Sequence, residues 1–426
     1  MRNKKKVTGK ELLAWGIMCL LALAFALFLW QYNQVEKTDL VGTEGRTFEK
    51  ATVVSVLRDN LQEDGNRYGD QTVELYMKTG ELAGETVEAT SPNGNLFGAV
   101  CYPGRDVIAI VSISGDSHVV TVYSPDRIVA VVGFVVVFLL LLWIIGGKNG
   151  AKSALGLIFT FICIFFLMIP MIYRGISPFL SAVVITLITT LVTMYLIGGF
   201  TAKTLCSVLG TVAGVILAGV SAWLFGAVAD VGGYNVSNIE ELLFIAQNTK
   251  VNIGELLFAG ILISALGAVM DVAMSISSTI TEIYSQNPRL TRMQLFRSGI
   301  SVGRDMMGTM SNTLVLAFAG GSLSLLVLNY AYDLSMNQVL NSISICIEIM
   351  QGISGSIGVV MTVPIVSVLA SILVPKWHRE KPAAFLEDEE PAGEEDFPEE
   401  EGEEVENVPF SENAEENSQE ETPFQP

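Results

Sequence analysis

Apolar residues run in long stretches through most of this chain, and a polar interlude near its start keeps a different rhythm. The stretches 12–30, 128–145, 154–172, 179–197, 204–228, 256–276 and 306–328 hold a single charged residue between them, Asp271. At 1.5 Å of rise per residue, each matches roughly the ~30 Å hydrocarbon thickness of a bilayer. A last apolar region, 338–374, would be about 55 Å long as one straight helix, too long for one crossing. It contains Glu348, Gln351, Gly352, Gly355, Gly358 and Pro364. The pattern therefore predicts a short or re-entrant segment there, broken at its glycines, and then one full span. The sum is about eight transmembrane helices.

Between 31 and 126 the long runs give way to alternation. Val73, Leu75 and Met77 are separated by polar neighbours, the period of a strand with one buried face. Five short runs, 48–57, 71–79, 85–91, 106–114 and 118–123, are divided by turn-forming sequences such as Glu63-Asp64-Gly65-Asn66 and Ser91-Pro92-Asn93-Gly94. Five strands in about 95 residues suit a small barrel of OB or SH3-like type. No basic stripe or aromatic cluster marks it for nucleic acid. A stabilising cap without a ligand is the plainer reading.

Charge fixes the expected topology. Outside the polar domain and Arg127, which leads directly out of it, fifteen Lys and Arg fall in segments that share a side with the N-terminus, and the opposite loops hold two, Arg174 and Lys250. Basic residues concentrate on the cytoplasmic side, so both termini are expected inside and the β domain outside. The net charge of −19 comes from the tail: residues 387–426 carry 18 acidic and no basic side chains. Such a segment cannot bury enough surface to fold alone. The chain thus divides into a signal anchor (1–30), an extracytoplasmic β-rich domain (31–126), a helical membrane domain (127–375) and a basic flank with a disordered acidic tail (376–426). The anchor is read as retained, with cleavage as the alternative. The expected fold class is an all-α polytopic membrane protein with a small extracytoplasmic β-barrel-like domain.

Candidate chemistry is sparse. The two histidines, His118 and His378, are far apart, and the five cysteines form no CxxC pair, so neither a metal site nor a cofactor is expected. No phosphate-binding loop, HExxH or GxSxG motif is present. Polar residues do recur at helical spacing on two apolar stretches. Asp271, Ser275, Ser278 and Glu282 share one face, and Asp305, Thr309 and Asn312 share another. A carboxylate at the middle of a span costs about 2.5–3.5 kcal/mol on insertion scales, so it must face protein, a partner or water. If the two stretches are antiparallel neighbours, Asp271 meets Thr309 or Asn312, and Glu282 can pair with Arg304. Gly260 and Gly267 would allow close approach. Glu348 is a second acidic candidate. The alternative is helix glue, in which polar contacts only fix packing.

The segments ALGAVMDVAMSISSTITEI (265–283) and SGISVGRDMMGTMSNTLVLAFAGGSL (298–323) resemble the YibE/F family of bacterial multi-pass membrane proteins. The likeness extends over roughly 128–375. It implies an integral protein of the bacterial plasma membrane, typical of Gram-positive species, and no settled activity. The expectation is a non-enzymatic secondary transporter or permease for a small solute or ion. The alternative is an envelope scaffold or an accessory subunit of a membrane complex. Expected partners are membrane lipids, the solute, and a second copy or an accessory membrane subunit.

Overall fold

The computed structural model describes residues 20, 23–35, 45–92, 98–114, 117–236 and 238–380. Most of the expected N-terminal anchor and the whole acidic tail lie outside these residues. A helix α1 (Leu23–Tyr32) covers the end of the anchor.

Five strands follow: β1 (Arg46–Arg58), β2 (Gln71–Met77), β3 (Thr86–Ser91), β4 (Asp106–Ser114) and β5 (Ser117–Pro125). They close in the order β1-β2-β3-β5-β4, with β3 and β5 parallel and the other pairs antiparallel. This is the five-stranded Greek-key form of the two barrels expected. Val73, Leu75 and Met77 are fully buried, as their alternation requires, and pack with Ala51, Val53, Val107, Ala109 and Val122. The buried Gln71 accepts a hydrogen bond from the Cys101 backbone N–H at 2.8 Å and donates to Asp59 at 2.8 Å. The Arg67 guanidinium bonds the same Asp59 carboxylate. That contact holds the Asp59 pKa below the usual carboxylate range.

The barrel joins the helices without slack. Only Asp126 and Arg127 separate β5 from α2 (Ile128–Cys163). Asp126 accepts from the Ile128 N–H at 3.0 Å, forms an ion pair with Lys50 of β1 at 3.1 Å, and donates its own N–H to Asp106 O at 3.0 Å. The Ile128 N–H first, then Lys50, lower the pKa of its carboxyl.

A π-turn (Ile164–Met168) leads from α2 into α3 (Ile169–Tyr173). Together they form a 46-residue apolar element, which as one rod would be about 69 Å long. Gly147, at φ 53° and ψ −131°, breaks it. A Cβ on Gly150 would lie 2.0 Å from the Leu142 carbonyl oxygen. Eight helical residues would hold those positions about 12 Å apart, so the chain turns back on itself at Gly147. The expected spans 128–145 and 154–172 are the two arms of this hairpin.

The remaining helices are α4 (Pro178–Gly198), α5 (Ala202–Ala229), α6 (Ile239–Asn248), α7 (Leu256–Gln286), α8 (Arg292–Gly321), α9 (Leu323–Ala331), α10 (Met336–Leu340) and α11 (Ile343–Glu380). Among the described residues, five elements are long and apolar enough to cross a membrane, counting the hairpin once. The pair α8–α9, bent by 59°, makes a sixth. The bulk of the main core is one face of α7, with Leu262, Val269, Val272, Ala273, Ile276 and Ile280 buried against Val215 of α5 and Val359, Val363 and Val366 of α11.

One expectation fails here. The region 338–374 has no glycine-broken segment: α11 is a single helix from Ile343 to Glu380. Its glycines serve packing instead. A Cβ on Gly358 would lie 2.7 Å from the Ala218 Cβ and 2.9 Å from the Gly214 carbonyl oxygen. Intervening backbone cannot supply exposed carbonyls where two helices touch this closely.

Loops that the charge count assigns to one side do lie together. Arg174 Nη2 donates to Tyr32 O at 2.7 Å, and Ser177 bonds the Glu255 carboxylate. From the other set, Phe200 packs on Trp377 with ring centroids 5.8 Å apart.

Candidate functional site

Helices α7 and α8 form the expected antiparallel pair, and close contacts fix their register. A Cβ on Gly299 would lie 2.7 Å from Ile280, and one on Gly355 would lie 3.4 Å from Leu314 and 3.6 Å from Ala265. Ile280 is therefore level with Gly299, and Ala265 with Leu314. Interpolated between them, Asp271 is level with Gly308, beside Thr309. The two helices are level there as expected, but the expected contact is not formed.

Asp271 is exposed and makes no hydrogen bond or ion pair among the described residues. It shares its exposed face with Gly260, Ser264 and Gly267, and nothing lies within 4 Å of a Cβ built on either glycine. The close approach expected at Gly260 and Gly267 is thus absent; it occurs at Gly210, Gly214, Gly299, Gly303 and Gly358. Ser275 and Ser278 are half-buried on the turns that follow Asp271.

Glu282 does not pair with Arg304. It accepts from Gln286 Nε2 at 3.1 Å. The register explains this: Glu282 is level with Arg297, and Arg304 lies two turns, about 10 Å, farther along α8. Arg304 and Asp305 are both exposed, and Thr309 turns its hydroxyl back to the Asp305 carbonyl at 2.9 Å. Such i−4 bonding satisfies a hydroxyl within its own helix.

Asn312 lies elsewhere, in an open groove of about 500 Å³ between α8 and α11 lined by Ser311, Val315, Ile353, Ser356 and Ile357. Ser356 Oγ reaches the Ser311 carbonyl at 3.5 Å. Glu348 is half-buried near the start of α11 and joins neither group. The polar positions thus form two patches, an Asp271 face on α7 and an Asn312 groove on α8–α11.

Sequence reading missed a third feature, a hydroxyl-lined interior. Thr186, Thr189, Thr190, Ser207, Thr211, Ser277, Thr362 and Ser367 are all buried. Ser207 and Ser277 share a 2.5 Å hydrogen bond between α5 and α7. Thr362 and Ser367 donate to their own i−4 carbonyls at 2.7 Å. The Thr186, Thr190 and Thr211 hydroxyls find no partner among the described residues. The signal was available as hydroxyls three and four residues apart on α4 and α5, a common packing device in membrane helices.

The YibE/F-like protein family model matches residues 134–376, more than half of the chain and all of α4 to α10. No curated protein and no solved structure matches it. The matched region contains the α7–α8 pair, the groove and the hydroxyl interior, and the chain belongs to the YibE/F-like family.

Proposed function

We propose that this protein is a multi-pass plasma-membrane transporter or permease of bacteria, moving a small solute or ion without catalysing a reaction. In this reading it crosses the membrane eight times: once through α1 with the anchor residues before it, twice through the Gly147 hairpin, and once each through α4, α5, α7, α8–α9 and α11. Both termini are cytoplasmic and the barrel is outside. The observation that carries the proposal is Asp271, an exposed carboxylate without a protein partner among the described residues, on a helix otherwise fit to lie in lipid. Such a group is tolerated when it carries a proton, binds a cation or faces water. Each of these is a step in coupling ion movement to a solute. The Asn312 groove, a separate patch that is open and lined by both hydroxyl and apolar side chains, is the second polar feature this reading draws on.

The test is solute-driven current in proteoliposomes over a panel of ions and small metabolites. Asp271→Asn is expected to abolish the current while insertion and unfolding stay unchanged. Normal current in a well-inserted variant would remove Asp271 from the site.

A scaffold or accessory-subunit role is the second reading. It draws on the barrel's outer face, where Phe48 and Tyr123 pack edge to face at 5.2 Å and Val119 is 65% exposed. A stoichiometric membrane partner that is lost on Phe48→Ser would favour it.

A further inference from the structure

The two basic residues in the loops that join membrane helices on the side opposite the N-terminus, Arg174 and Lys250, line one pocket. It is open, has a volume of about 580 Å³, and lies where the end of α1, the turn after α3 and the segment after α6 converge. Gln34, Asn248 and Thr249 complete its polar wall, and no carboxylate lines it among the described residues.

The Arg174 guanidinium is held directly, and Lys250 through the loop that carries it. The Arg174 guanidinium stacks 4.4 Å over the Tyr32 ring and donates to the Tyr32 carbonyl, and its other N–H groups have no partner among the described residues. Lys250 makes no hydrogen bond or ion pair among the described residues. Gly175, next to Arg174, has φ +88°, and a Cβ there would lie 2.9 Å from the Lys250 Cβ. A side chain at that position would push the two loops apart, so glycine allows the basic residues to approach. Asn248 and Thr249 donate to the Phe244 and Ile245 carbonyls at 2.8 and 2.7 Å, which finishes α6 and fixes the loop carrying Lys250.

Loops of this polarity are depleted in Lys and Arg. Two survivors from separate loops line one pocket with no carboxylate in its lining among the described residues, and an anion lying across them would satisfy both charges. A fork of guanidinium N–H groups beside an ammonium suits tetrahedral oxyanions. We propose that this pocket binds a phosphate group, either of a free anion or of an anionic lipid headgroup. The site does not depend on the transport reading.

The full-length protein, purified into nanodiscs of phosphatidylcholine alone or with phosphatidylglycerol, tests this directly. Inorganic phosphate binding is measured by calorimetry in the first discs. Retained phosphatidylglycerol is counted by native mass spectrometry after release from the second. Saturable phosphate binding supports the free-anion source, and retained phosphatidylglycerol without it supports the lipid source. In either case Lys250→Gln should weaken binding about tenfold, the size expected for one charged hydrogen bond, and Lys250→Arg should preserve it. Lys250→Gln leaves the Arg174–Tyr32 contact in place, so an unchanged unfolding midpoint separates lost binding from lost structure. Absence of both ligands from the wild type, or equal binding by Lys250→Gln, would overturn the proposal.

Discussion

Replacing Gly358 by alanine tests the packing of the membrane domain at its tightest crossing. The new methyl group would lie 2.7 Å from the Ala218 Cβ and 2.9 Å from the Gly214 carbonyl oxygen. Neither neighbour can rotate away, because one is a methyl on the backbone and the other is the backbone itself. Helices α5 and α11 must separate by several tenths of an ångström along a contact that also holds Gly210 against Val366. Overpacking of this kind costs about 1–3 kcal/mol, and the better helix propensity of alanine offsets about 1 kcal/mol of it. The expected net loss is about 0–2 kcal/mol, a factor of up to roughly 30 in the folded-to-unfolded ratio, and the 2.7 and 2.9 Å contacts with groups that cannot move aside place it toward the upper end. Gly267→Ala is the control. Nothing lies within 4 Å of its Cβ, so only the propensity gain of up to about 1 kcal/mol applies. Thermal or dodecyl sulfate unfolding of the purified protein, followed by tryptophan fluorescence, should lower the midpoint for Gly358→Ala and hold or raise it for Gly267→Ala. If the two variants unfold alike, the α5–α11 contact is misplaced. If Gly358→Ala is the more stable, the segment is a strained break after all, and the continuous α11 is wrong.

Two further outcomes concern the barrel. Asp126 has a lowered carboxyl pKa, so its contribution is complete at neutral pH and is lost as pH falls below the ordinary carboxylate value of about 4. The protection factor of the Ile128 N–H, its exchange rate set against the intrinsic rate at the same pH, should therefore fall in acid, and Asp126→Asn should lower it already at pH 7; a wild-type protection factor that stays constant through the carboxylate range would refute the clamp. Cys101 is 3% exposed, and burial raises its thiol pKa. Maleimide should label it only after unfolding, and rapid labelling of the native protein would place it outside the barrel core.

Some of this architecture is readable from residues alone. Alternation at Val73, Leu75 and Met77 and turn residues between runs locate the strands, and β4 occupies 106–114 as expected. A strand with one wet and one dry face writes that asymmetry into its sequence. Membrane helices do not, because lipid and protein interior are both apolar. Periodicity therefore places Asp271 and Gly267 on one face of α7 without saying whether that face is covered, and the structure leaves it open. Gly352, Gly355 and Gly358 were ambiguous for the same reason. A glycine cluster suits a broken helix or a tight crossing, and only the position of Ala218 on α5 decides between them. The Arg174–Lys250 pocket depends on three loops meeting, which no local pattern encodes.

The two-residue junction between β5 and α2 has a mechanical consequence. A flexible linker would let the barrel tumble while the helices stayed still. Here the exit of β5 is locked to β1 through Lys50 and to the first turn of α2 through Ile128. Barrel and helix then share one rotational degree of freedom, as a crank shares it with its shaft. A torque applied to the barrel by anything that grips its outer face would turn the first arm of the hairpin. The Gly147 corner would be the first place along that arm where the twist could dissipate.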